Sequence, residues 1–115
     1  MFRWICAHGE ASGWDGQRVS VGGASAGGKF ALNVAQRAIE AGGPMPVAVS
    51  TEYGCADIAR PDSTRTSAKP HPVVSAQLLG LVRRTYFAGA DLTSPLASPA
   101  RFDQLASSSS NQWWS

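Results

Sequence analysis

The residues with the clearest capacity for chemistry form the pentapeptide Gly23-Ala24-Ser25-Ala26-Gly27. A serine hydroxyl is a weak nucleophile unless the backbone projects it clear of its neighbours and a base lies beside it. A sharp turn from a strand into a helix provides that projection. It requires small residues two positions before and after the serine, here Gly23 and Gly27. The spacing therefore predicts a nucleophile elbow with Ser25 at its tip.

The expected position of Ser25 at the start of a helix also favours negative charge. Free backbone N–H groups and the positive end of the helix dipole lie there. The N–H of Ala26, the residue after the serine, is then an expected donor of an oxyanion hole. Because glycine, alanine and serine are common residues, a small-residue turn that only packs tightly remains the alternative.

The segments on either side of the motif have the pattern that such a turn needs. Residues 18–22 are short and β-branched, which predicts a strand, and residues 46–50 predict a second one. Between them an apolar face recurs at helical spacing until the glycines and proline at 42–44 end the helix. A strand, helix and strand in this order predict a parallel sheet with flanking helices, and so an α/β fold. The apolar helix face comprises Ala31, Leu32, Val34, Ala35, Ala38 and Ile39.

The positions of proline and glycine and the local composition divide the rest of the chain into predicted helices, turns and loops. The predicted elements are a helix over 3–12, a turn over 14–17, a loop over 56–72, a helix over 73–87 and a loop over 91–106. Residues 107–115 are four serines, a polar pair and two tryptophans before a last serine, which is typical of a disordered tail. The predicted folded domain is therefore residues 1–106.

Composition limits the function classes. The chain has 115 residues, 43% of them hydrophobic, which fits one small packed domain. The net charge is only +2 and the basic residues are scattered, so nucleic-acid binding by bulk charge is excluded. No stretch approaches the roughly 18 apolar residues of a membrane helix, and residues 1–10 do not form a signal peptide, so we expect a cytoplasmic protein. Cys6 and Cys55 are expected to be free, buried thiols.

Two blocks of sequence resemble a known family. Residues 18–28, Arg-Val-Ser-Val-Gly-Gly-Ala-Ser-Ala-Gly-Gly, are similar to the nucleophile-elbow block of the hormone-sensitive-lipase group of α/β-hydrolases. Residues 91–99, Asp-Leu-Thr-Ser-Pro-Leu-Ala-Ser-Pro, resemble the loop before that family's next strand. The resemblance implies hydrolysis of a small-molecule ester or lipid through an acyl-enzyme, with Ser25 as nucleophile and Ala26 as oxyanion donor. It also implies no metal or organic cofactor.

The chain departs from that family in three ways. Ala24 stands where an acidic residue is usual, and His8-Gly9 does not replace the family's His-Gly-Gly-Gly oxyanion loop. The family's catalytic acid and histidine lie beyond the block that residues 91–99 resemble. We therefore expect an incomplete α/β-hydrolase domain, such as a truncated reading frame or a frame change near residue 107 would produce, with weak or no activity by itself.

A non-catalytic remnant of a hydrolase is thus an alternative reading. In that case the strands that would normally cover the apolar surface are absent, and the chain is expected to aggregate or to need a partner. The residues left uncovered would be Leu32, Val34, Ile39 and Val47.

Other residues could in principle complete a catalytic triad. The fold requires the order serine, acid, histidine, which leaves Asp57, Asp62 and His71 formally available. His71 stands between two prolines in a polar loop and is typical of a solvated histidine, whereas His8 is expected to be partly buried beside Trp4. No base or acid is assigned.

Residues 23–29 also fit the phosphate-binding pattern G-x-x-x-x-G-K. Such a loop needs a serine or threonine after the lysine to hold magnesium, and Phe30 stands there instead. No later apolar strand ends in an aspartate that could supply the second metal contact. Nucleotide binding is therefore the weaker alternative.

Overall fold

The computed structural model of the chain describes residues 1–105. The predicted tail over 107–115 lies outside the described residues. In chain order the elements are α1 (Phe2–Ala7), β1 (Val21–Ala24), α2 (Ala26–Ala41), β2 (Val49–Glu52) and α3 (Ala76–Thr85), with 3₁₀ turns at Glu10–Ser12, Asp62–Thr64 and Pro99–Arg101.

The two strands form the predicted βαβ unit. β1 and β2 pair in parallel, with Val21 opposite Val49, and α2 packs against both strands. The backbone pairing continues upstream of the assigned strands, because the Val47 amide donates to the Val19 carbonyl at 3.0 Å. The predicted α/β architecture is therefore present.

Both strands end later than the residue pattern predicts. The predicted ranges were 18–22 and 46–50, whereas β1 runs through Ala24 and β2 through Glu52. The reason is their mutual pairing, since Ala24 lies opposite Glu52 in the register. The connection between β1 and α2 is consequently Ser25 alone.

The face of α2 that packs on the sheet is the predicted one. Ala31, Ala35 and Ala38 are buried, and the helix ends at Gly42, whose left-handed φ of 59° caps it. Gln36 lies outside the predicted apolar face, yet it is only 1% exposed. Its amide is satisfied within the helix, donating to Glu40 Oε1 at 3.0 Å.

Part of the predicted apolar face of α2 is incompletely covered. Leu32, Val34 and Ile39 are half-buried, and Val47, just before β2, is 52% exposed. Within residues 1–105 no element covers these side chains completely.

α3 is shorter than the predicted helix over 73–87. It begins at Ala76 because the Ser75 hydroxyl accepts a hydrogen bond from the Leu78 amide at 3.2 Å and caps the helix. The helical pattern predicts an apolar side with Val74, Leu78, Leu81 and Val82, of which the first three are exposed and Val82 is half-buried. Within residues 1–105 no other helix or strand makes extensive contact with α3.

The N-terminal helix is also shorter than predicted, since α1 ends at Ala7 and a separate 3₁₀ turn follows. Gly9 lies between them and packs on Gly16 so closely that a Cβ atom on Gly9 would lie 2.4 Å from the Gly16 amide nitrogen. Cys6 and Cys55 are free, as predicted, but half-buried rather than buried. Over residues 1–105 no helix combines the length and the apolar character needed to span a membrane.

Candidate functional site

Ser25 alone connects β1 to α2. Its backbone has φ 54° and ψ −120°, a conformation that costs an L-residue about 1–3 kcal/mol. Two hydrogen bonds hold it there. The Ser25 amide donates to the Glu52 carbonyl at 2.9 Å, and the Ser25 carbonyl accepts from the Lys29 amide at 3.3 Å. The sharp bend predicted at this residue is therefore present, with the strand on one side and the helix on the other fixing it.

The Ser25 side chain is exposed and does not cap α2. A serine at a helix N-cap ordinarily accepts a hydrogen bond from the first turn, which stabilises the helix by about 0.5–2 kcal/mol. Among residues 1–105 the Ser25 hydroxyl has no hydrogen-bond partner at all. The strained backbone thus presents the hydroxyl to solvent instead of to the helix.

The first turn of α2 surrounds the Ser25 position with amide donors. Ala26 is the first helical residue, and the N–H groups of Ala26 and Gly27 have no acceptor one turn earlier in the helix. The 16-residue helix also places its positive dipole end here. This arrangement can stabilise an oxygen anion beside Ser25.

The glycines around Ser25 divide into two kinds. A Cβ atom on Gly23 would lie 2.5 Å from the Gly27 carbonyl carbon, so the predicted need for a small residue is confirmed at Gly23. A Cβ on Gly27 would meet nothing within 4 Å, so the expected need for a small side chain is wrong for Gly27. Gly27 contacts Gly23 through its backbone atoms only. Gly28 had no predicted role, yet it is buried and its Cβ would lie 2.9 Å from the Gly23 carbonyl oxygen.

Neither described histidine supplies a base to Ser25. His8 lies beside Trp4 as expected, with the ring centroids 4.2 Å apart, and its Nδ1 is 2.8 Å from the Trp4 carbonyl oxygen. The expected burial of His8 is wrong, because α1 buries none of its residues and the ring is exposed. His71 is exposed in its loop, as predicted.

The two candidate acids are bound to arginines. Asp57 forms an ion pair with Arg101 at 3.1 Å; burial alone would raise the pKa of Asp57, but the hydrogen bonds from Arg101 lower it. The hydrogen bond from Arg83, at 2.8 Å, holds the pKa of the Asp62 carboxyl below its ordinary value. These carboxylates join loops and orient no imidazole.

The phosphate-binding alternative for residues 23–29 is wrong. A phosphate cradle needs several loop residues between strand and helix, whereas Ser25 is the one residue between β1 and α2. The Lys29 ammonium is also engaged elsewhere, donating to Asn33 Oδ1 at 2.8 Å and to the Leu96 carbonyl at 2.7 Å. Burial lowers the pKa of this lysine.

An open groove of about 590 Å³ lies beside the beginning of β1. Ser25 is at the other end of that strand and does not line the groove. The lining residues are Ile5, Trp14, Asp15, Arg18, Val19 and Ser20.

Comparisons with known proteins agree with the α/β architecture. The sequence profile of a protein family that has the α/β-hydrolase fold matches residues 1–110 of this chain. Esterase LipI of Mycobacterium tuberculosis (strain ATCC 25618 / H37Rv) is 33% identical over 108 residues, which cover 90% of this chain and 33% of that protein.

Solved structures of esterases are also similar to this chain, among them the following two. EstE5, from a crystal soaked in ethyl alcohol, matches with a TM-score of 0.70 and 33% identity over 87% of this chain and 33% of its own. The hormone-sensitive-lipase homologue EstE7 from a metagenome library matches with a TM-score of 0.56 and 26% identity over 82% of this chain and 32% of its own. The chain thus spans about a third of the length of each of these proteins. The matches confirm the predicted fold class and the predicted resemblance to hormone-sensitive-lipase-like hydrolases.

Proposed function

The chain belongs to the α/β-hydrolase fold family, and from that premise we propose that it carries the nucleophile of a carboxylic-ester hydrolase, Ser25. The observation that supports this most directly is the Ser25 backbone at φ 54°, which projects an unbonded hydroxyl at the start of α2. Strain of this kind persists only where surrounding contacts enforce it, and it is concentrated at functional sites. The ester-hydrolase names of the similar proteins supply the substrate class.

The proposed reaction forms an acyl-serine. Ser25 Oγ attacks the ester carbonyl carbon, the alcohol leaves with a proton, and water then hydrolyses the acyl group from the serine. The Ala26 N–H donates to the oxyanion that forms in each half of the reaction. Gly23, Ala24 and Gly27 complete the elbow that holds the hydroxyl in place.

The rate depends on a base for the Ser25 proton. No histidine within residues 1–105 contacts Ser25, so we expect slow turnover that relies on the oxyanion donor and on substrate binding. The proposed substrate is a small-molecule ester or lipid, and a cytoplasmic location stays a prediction.

A non-catalytic remnant is the second candidate. It is favoured by the apolar side chains that remain uncovered in the described structure, such as Val47 and Leu81, which are 52% and 50% exposed. In that case the elbow would be intact but no ester would be cleaved through it.

Ester turnover by the purified full chain separates the two. We expect p-nitrophenyl acetate hydrolysis by the wild type to exceed that of Ser25→Ala, with Ser63→Ala, an exposed serine in a 3₁₀ turn, equal to the wild type. Mass spectrometry after treatment with diethyl p-nitrophenyl phosphate should find the phosphoryl adduct on the Ser25 peptide. Equal rates for all three proteins, and no adduct on Ser25, would contradict the proposed function and favour a non-catalytic remnant.

A further inference from the structure

The first turn of α2 is held without the usual helix cap. Ser25 occupies the N-cap position, but its side chain accepts no hydrogen bond from the helix. Its strained backbone would relax if this turn frayed, because fraying would release the φ of 54°. A contact outside the turn that keeps it wound therefore also keeps Ser25 in place, in addition to the hydrogen bond from the Ser25 amide to the Glu52 carbonyl.

Lys29 makes that contact. Its amide closes the turn on the Ser25 carbonyl at 3.3 Å. Its ammonium reaches 67 residues along the chain to the Leu96 carbonyl, at 2.7 Å, and also donates to Asn33 Oδ1 at 2.8 Å. The Asn33 amide donates to the same carbonyl at 3.3 Å, so two residues of α2 hold one acceptor.

Two aromatic rings lie near the Lys29 ammonium. The nitrogen lies 5.5 Å from the centre of the Phe30 ring and 5.7 Å from that of Phe87, which follows α3. Both distances are within the range of a cation–π interaction. A displaced ammonium would lose these contacts together with its hydrogen bonds.

The acceptor belongs to a loop that is itself fixed. Ser98 is fully buried; its hydroxyl donates to the Leu92 carbonyl at 2.6 Å and accepts from the Ile58 amide at 3.1 Å. Two residues further on, the Ala100 amide donates to the Ala56 carbonyl at 2.9 Å. The loop that carries the Leu96 carbonyl is thus held by its own hydrogen bonds, and this carbonyl can anchor the first turn of α2 by accepting from Lys29.

We propose that Lys29 is the positioning residue of Ser25: its ammonium ties the first turn of α2 to the loop over 91–99 and thereby maintains the strained serine. The kinetic part of this inference rests on the proposed function, whereas the structural part does not. Lys29 touches no substrate in this role and acts only through the turn.

The test compares Lys29→Met, which keeps the length of the side chain but no donor, with Lys29→Arg, which restores donors. Lys69→Met, in an exposed loop, is the matched control. We expect Lys29→Met to slow phosphorylation of Ser25 by diethyl p-nitrophenyl phosphate roughly tenfold to a hundredfold, the size of effect that small misplacements produce. Lys29→Arg should recover most of the rate and Lys69→Met should keep all of it.

Hydrogen exchange supplies a readout that is independent of Ser25 chemistry. In Lys29→Met the amide of residue 29, which donates to the Ser25 carbonyl, and the amides of Ser94 and Ser98, which donate within their own loop, should exchange faster, while those at the end of α2 and in β2 keep their protection. A uniform loss of protection, or no change in the first turn, would overturn the inference. So would a Lys29→Arg variant that is as impaired as Lys29→Met.

The two proposals fail separately. If the wild type shows no adduct on Ser25, the proposed function fails, and exchange at the residue 29 amide still decides whether the Lys29 side chain holds the turn. If the wild type is labelled and Lys29→Met is labelled at the same rate, the positioning role fails and the proposed function stands.

Discussion

Gly23 and Gly27 are in backbone contact across the elbow: a Cβ atom on Gly23 would lie 2.5 Å from the carbonyl carbon of Gly27 and 2.6 Å from its oxygen. Real Cβ atoms do not approach backbone this closely. The contact brings the end of β1 against the start of α2, and it is what allows the single residue Ser25 to connect them. The same contact makes the two glycines unequal to mutation.

Gly23→Ala should destabilise the fold, whereas Gly27→Ala should not. The added methyl at residue 23 would push α2 away from β1, and such overpacking costs about 1–3 kcal/mol. At residue 27 the methyl enters open space, and alanine favours a helix over glycine by up to about 1 kcal/mol. Urea unfolding followed by circular dichroism measures both. An equal loss of stability in Gly23→Ala and Gly27→Ala would contradict the close backbone contact between Gly23 and Gly27.

Local pattern predicted much of this fold because the βαβ unit is encoded locally. The apolar spacing of α2 predicted Ala31, Ala35 and Ala38 as its packed face, and they are buried. The strand ends were missed because pairing between two distant segments extends them to Ala24 and Glu52. No single-strand pattern contains that information.

The burial of Gln36 was missed for a related reason. Helical periodicity assigns it to the polar side, but the loop over 91–99 reaches that side of α2, where Asn33 donates both to Gln36 Oε1 and to the Leu96 carbonyl. A loop more than 60 residues away cannot be read from the periodicity of one helix.

At the candidate site, the elbow motif predicted the bend at Ser25, since the residues that form it are adjacent in sequence. Its supports were not predictable. Gly28 packs on Gly54, and Lys29 binds the Leu96 carbonyl, so the partners of both lie far along the chain. The pair Gly27-Gly28 was a usable signal, because a second glycine after the elbow suggests a close backbone approach.

Ser98→Ala should destabilise the chain more than its small size suggests. Its buried hydroxyl accepts from the Ile58 amide at 3.1 Å and the Ala59 amide at 3.3 Å. Removing it leaves the buried Ile58 amide unpaired, which costs about 1–3 kcal/mol, whereas the Ala59 amide keeps its hydrogen bond to Asp57 Oδ1. Thermal unfolding of Ser98→Ala beside Ser63→Ala, an exposed serine, gives the comparison. If both variants unfold at the same temperature as the wild type, the Ser98 hydroxyl does not stabilise the contact between its own loop and the segment at Ile58.

The unfolding free energy should decrease on acidification through the Asp62–Arg83 pair. The hydrogen bond from Arg83 lowers the pKa of Asp62 in the folded state. A carboxyl with a depressed folded pKa stabilises the fold above its unfolded pKa of about 3.9, and this contribution disappears as the pH falls through the folded value.

Asp62→Asn should therefore be less stable than the wild type near neutral pH and converge with it in strong acid. Asp103→Asn, at an exposed position, is the control and should follow the wild type throughout. Urea midpoints measured across the acid range test this. A stability gap for Asp62→Asn that is the same at every pH would show that the charge of the carboxylate is not what stabilises the fold.

Ser25→Gly and Ser25→Ala should differ in stability although both lack the hydroxyl. At φ 54° and ψ −120° glycine avoids most of a strain of about 1–3 kcal/mol that alanine keeps. Glycine loses about 0.5–1 kcal/mol more than alanine in backbone entropy on folding. We expect Ser25→Gly to be the more stable by about 1 kcal/mol in urea unfolding. A more stable Ser25→Ala would mean that the backbone at residue 25 relaxes at little cost. The Ser25 backbone would then not be strained in the wild type.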